Sequence, residues 1–93
     1  MATYQLFMGR DIPNGGYVTD EDWDKFLRIV DTIVDGYTVV DAAGVWLGEK
    51  EDCKVMTVST DQVDNIRDIA SIYKQAFDQM AVGVQVLPSM EFV

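Results

Sequence analysis

The chain has 93 residues, enough for one domain spanning 1–93 with a core that has little to spare. Its net charge of -9, from 16 acidic and 7 basic residues, sets it against phosphate backbones and anionic membranes, so neither nucleic acid nor a membrane is an expected partner. It has no histidine and one cysteine, Cys53, which excludes an internal disulfide and removes the commonest zinc ligand and general base.

Residues 3–8, TYQLFM, alternate and favour β structure, with Tyr4, Leu6 and Met8 on one face and Gln5 and Phe7 on the other. With a strand expected this early no signal peptide is expected, and no apolar run reaches the ~20 residues of a membrane span. A reducing, cytoplasmic setting is expected. Residues 9–18 form a loop in which Pro13-Asn14-Gly15-Gly16 is turn chemistry. Thr19 caps a first helix, with Asp22 reaching back in a capping box and Asp20, Glu21 and Asp22 on the positive end of the helix dipole. Trp23, Phe26, Leu27, Val30, Ile33 and Val34 form a core stripe at helical period, and Asp35-Gly36 is expected to end the helix in the left-handed conformation.

Residues 37–47 predict a second strand with a bulge at Ala43-Gly44, 48–52 a polar hairpin turn, and 53–59 a third strand antiparallel to the second. Ser59 or Thr60 is expected to cap a second helix running to about Gln79, with Val63, Ile66, Ala70, Tyr73, Phe77 and Met80 on its buried stripe. Residues 81–87 predict a fourth strand, stopped by Pro88 and followed by an apolar tail.

The order β-α-β-β-α-β predicts an α+β, ferredoxin-like fold: a four-stranded antiparallel sheet in the order 4-1-3-2, with two helices on one face. Helices on one side leave the other bare. The residues expected there, Phe7, Met56 or their neighbours, Trp46, and Val84 or Gln85, include large apolar groups. A homo-oligomer, dimer or trimer, is therefore expected to cover that face.

No catalytic or metal signature stands out. The acids Asp20, Glu21, Asp22 and Asp24 lack the calcium-loop pattern and are explained by capping. No metal and no cofactor is expected. The glycine-rich loop beside a helix start suggests a ligand-contacting segment, with Arg10, Asn14, Gly15, Gly16 and Tyr17 as candidates and Trp46 as a pocket wall. The acids at the helix entry argue against a phosphate cradle. Tyr37, Glu49 and Glu51 are the weak candidates for acid–base work, if burial raises a carboxyl pKa.

The runs LFMGR (Leu6–Arg10), Gly-Gly-x-Val-Thr-Asp-x-x-Trp-x-x-Phe (Gly15–Phe26), DGYTVVDAAGVW (Asp35–Trp46) and IYKQAF (Ile72–Phe77) together resemble a bacterial and phage family known as domain of unknown function 3574. That resemblance implies a ferredoxin-like fold and brings no established activity. In size and element order the chain is also similar to phage S-adenosylmethionine lyases. That likeness implies a trimeric, PII-like assembly with the active site between subunits and a glutamate near an aromatic hydroxyl, for which strand two and the hairpin would set Tyr37 beside Glu49 or Glu51. No diagnostic run matches, so no catalytic residue is carried over.

The leading expectation is a non-catalytic oligomeric protein holding a small molecule or nucleotide between subunits; in a phage it would be a counter-defence sponge for a nucleotide signal. The alternatives are an S-adenosylmethionine lyase-like enzyme with its site at the subunit boundary, and a protein–protein interaction module.

Overall fold

The structure, a computed structural model, describes residues 1–93. Strand β1 (Ala2–Gly9) leads to helix α1 (Asp20–Val30), β2 (Thr38–Trp46), β3 (Glu49–Thr60), helix α2 (Val63–Ala76) and β4 (Gly83–Leu87). The strands form one antiparallel sheet in the order β2-β3-β1-β4, the expected ferredoxin-like arrangement.

Register sorts the side chains. Leu6 lies opposite Met56 and Tyr4 opposite Val58, all buried on the helix-covered face. Alternation then sends Gln5, Phe7, Val55 and Thr57 to the other face. The core packs Leu6, Met8 and Met56 against Trp23, Phe26, Ile66, Ile69 and Tyr73. Its centre is aromatic: Tyr73 meets Phe26 edge-on at 5.0 Å between centroids and Phe77 at 4.9 Å. Met56 and Val84 are thus on the helix side, whereas Gln85 and Trp46 are on the open side.

Helix α1 starts as its residues dictate. The Asp22 amide donates to Thr19 Oγ1 at 3.1 Å and the Thr19 amide to Asp22 Oδ2 at 3.2 Å, completing the capping box. Its end departs from expectation. The helix stops at Val30 and a tight turn follows, in which the Ile33 and Val34 amides both donate to the Val30 carbonyl. Ile33 and Val34 still reach the core, and Gly36 is not left-handed.

The β2–β3 pairing runs without a break from Thr38–Thr57 to Trp46–Glu49, so the expected bulge is absent. The turn is two residues, Leu47 and Gly48, both at positive φ (50° and 79°), which matches the right-handed twist of the flanking strands. This moves Glu49 and Glu51 out of the turn and into β3. At α2 neither Ser59 nor Thr60 caps the helix. Gln62 holds the N-cap position with no side-chain bond, while Thr60 accepts from the Gln62 amide. Val63 and Met80 of the expected buried stripe are exposed.

Candidate functional site

Where β1 ends, the open face of the sheet runs into a cavity of about 600 Å³. Phe7 and Gly9 of β1 form its floor, the β2–β3 hairpin one wall with Trp46, and residues 79–83 between α2 and β4 the other, with Met80. Asp11, Ile12 and Pro13 close the end. Trp46 (52% exposed) and Phe7 (40%) leave aromatic surface open to it. Three carboxylates, Asp11, Glu49 and Glu51, lie in the lining, and no lysine or arginine does.

Glu51 is held by a missing side chain. A Cβ built on Gly9 would lie 2.5 Å from Glu51 Oε1 and 2.6 Å from Oε2, so the carboxylate rests against the Gly9 backbone in the space a side chain there would take. The same glycine is anchored from behind, because Tyr73 donates its hydroxyl to the Gly9 carbonyl at 2.7 Å. The aromatic core and the cavity floor therefore share one residue. Burial pushes the Glu51 pKa up and the charge of Asp11 adds to this, while the Asp11 backbone amide works the other way. Burial, with a smaller push from Glu51, also raises the Cys53 thiol, which disfavours the thiolate a nucleophile needs.

The sequence-predicted residues separate into three places. Trp46, Glu49 and Glu51 meet in the cavity. Arg10 lies behind the sheet, only 9% exposed; its Nε and Nη2 donate to the Val18 carbonyl at 2.9 and 2.7 Å, and Nη2 also reaches Asp20. Tyr17 packs under that guanidinium at 4.6 Å and donates to Asp52. Arg10 thus holds the loop to the helix start. The loop closes on itself, with the Ile12 amide donating to Gly16 and the Gly15 amide to Ile12. Gly15 and Gly16 take φ near +100°, and Asn14 donates to Asp78. These residues make a structural turn outside the cavity.

Tyr37 corrects the third expectation. It precedes β2 at the end opposite the hairpin, about 30 Å from Glu49 at the rise of a nine-residue strand. Its hydroxyl donates to Asp31, which pushes its pKa up to about 12. The structure does not set Tyr37 beside Glu49 or Glu51. Gly9, Asp11 and Met80 were missed as cavity residues. Strand alternation through Phe7, Gly9 and Asp11 was the available signal for the first two; Met80 carried none, since it sits on an irregular segment.

No helix is long and apolar enough to cross a membrane, and no group of three or more cysteine or acidic residues is arranged to hold a metal ion. No curated protein matches the chain. Among solved structures, a phage SAM lyase in its apo state is similar, with a TM-score of 0.71 and 18% identity over 92% of this chain and 78% of that one. At that identity the likeness is one of fold. Residues 3–91 match the family described as protein of unknown function (DUF3574), and with nearly the whole chain covered the protein belongs to that family.

Proposed function

We propose that the protein binds a small molecule in the cavity at the end of the open face and acts as a homo-oligomer in which a second copy covers that face. The observation that carries this reading is the cavity itself. Two aromatic side chains stand partly exposed around about 600 Å³, a size suited to a small ligand, with a few polar groups converging on it.

The oligomer is supported by charge. A quarter of all residues are charged, yet every strand position on the open face from Thr3 to Cys53 is neutral, including Gln5, Phe7, Val40, Val55, Thr57 and Gln85. A chain of net charge -9 repels its own copies most weakly there. The tail bends over one end of the face, where the Met90 amide donates to Thr3 Oγ1 at 3.2 Å and Phe92 stays exposed. Native mass measurement is expected to give a dimer or trimer, and a ligand panel read by thermal shift to raise Tm. A stable monomer indifferent to every ligand would overturn the proposal.

A second reading is favoured by Glu51. A partly buried carboxylate with a raised pKa, on the wall of a cavity in a fold shared with a SAM lyase, is suited to accept a proton. In a sulfonium substrate, Glu51 would take a proton from the carbon next to the one bonded to sulfur; the C–H electron pair becomes a C=C bond as the C–S bond breaks, and the C–S pair leaves on sulfur as a neutral thioether. Consumption of S-adenosylmethionine by the purified protein, lost in Glu51→Gln, is the expected result; turnover undiminished by that change would remove the assignment.

A further inference from the structure

We infer that the cavity selects an organic cation with an apolar or aromatic body (a sulfonium, a quaternary ammonium or a protonated amine) and rejects phosphorylated ligands. This rests on the cavity being a ligand site and names the class of ligand it takes.

The argument starts from the sequence, where opposite charges sit side by side: Arg10-Asp11, and Glu49-Lys50-Glu51-Asp52-Cys53-Lys54. In a strand, neighbours point to opposite faces. The sheet therefore works as a charge sorter. Arg10, Lys50, Asp52 and Lys54 go behind it; Arg10 and Lys54 are nine-tenths buried and already committed, while Lys50 is exposed near the hairpin turn. Arg10 is bound to Val18 and Asp20, whereas Lys54 is paired with Asp41, with its Nζ 5.5 Å from the Trp23 ring centroid. Asp11, Glu49 and Glu51 go to the cavity side. Neither buried cation can swing across the sheet to neutralise them.

A phosphate entering this space would meet three carboxylates and no compensating base. A cation would meet the same carboxylates across a partly desolvated space, where charge is screened less than in bulk water. The exposed aromatic surfaces of Trp46 and Phe7 attract cations through the ring quadrupole, and they also pack an apolar body. Glu51 adds a further reason. Burial and Asp11 disfavour its ionised form, and a bound cation would offset that cost.

The test compares ligands that share a body and differ in charge. S-adenosylmethionine is set against its neutral thioether, S-adenosylhomocysteine. Benzyltrimethylammonium and benzylamine are each set against benzyl alcohol, and ATP serves as the anion. Calorimetry gives affinities, and quenching of Trp46 fluorescence, lost in Trp46→Phe, places each ligand in the cavity. At least one cation is expected to bind tenfold or more tightly than its neutral partner, with ATP undetected; the best-bound cation identifies the source. In the triple variant Asp11→Asn, Glu49→Gln, Glu51→Gln the preference is expected to fall below about twofold. Equal affinity for charged and neutral partners, or binding of ATP, would overturn the inference and leave the cavity a ligand site. No binding by any probe would remove both.

Discussion

The two faces of the sheet are built from the same strands and obey different rules. The helix-covered face carries the buried aromatic core, and its two buried cations are both paired. The open face is neutral along its length and acidic at one end, where it becomes a cavity. Fold stability belongs to the first face, while the second can carry recognition because little of the fold rests on it. Gly9 joins them, holding Tyr73 through its carbonyl and making room for Glu51 at its α-carbon.

Substitutions that treat matched residues on opposite faces test this division. Phe26→Ala removes a ring that is 2% exposed and touches Trp23, Tyr73 and Phe77, and is expected to cost about 3–5 kcal/mol by urea denaturation. For a domain of marginal stability that approaches unfolding, so Phe26→Leu serves as the milder version. Arg10→Met should cost about 1–3 kcal/mol, because the Val18 carbonyl loses both of its guanidinium donors. Ligand affinity is expected to stay unchanged; a loss of binding at unchanged stability would show that the faces are coupled through the loop.

Phe7→Ala is the counterpart of Phe26→Ala on the open face. It should cost the separated protomer only about 1 kcal/mol, since the ring is partly exposed, yet shift the native mass distribution towards monomer. Equal costs for the two phenylalanines would break the comparison.

The smallest effect belongs to Glu51→Gln. With its folded-state pKa raised, Glu51 holds a proton more tightly in the folded protein than in the unfolded chain. Its contribution to stability therefore falls as pH rises from the ordinary glutamate range through that raised value. The variant is expected to gain up to about 0.5 kcal/mol above that window, an exposed-site magnitude. The gain should vanish below the ordinary glutamate range, as Tm measured against pH would show.

Local rules made much of the fold legible. The Thr19–Asp22 capping box needs only residues three apart, and the Trp23–Phe26–Val30 stripe only the helical period. The element order and the handedness of βαβ units then lead to the observed strand order. Local rules failed where two signals competed. Asp35-Gly36 looked like a helix end, but the helix stops a turn earlier and still packs Ile33 and Val34. The charged run after Trp46 looked like a loop, but a two-residue turn at Leu47-Gly48 let it continue as strand.

What the sequence determined by itself was the periodicity of each segment, its caps and its charge, because these depend on neighbours along the chain. The candidate site was legible only through Trp46, Glu49 and Glu51. That Glu51 rests on Gly9 with Asp11 beside it was decided by the register of β3 on β1, and Arg10 is held behind the sheet by the fold of the loop, which brings Val18 and Asp20 onto it. A slip of one residue there would send Glu51 to the other face, away from Gly9 and Asp11.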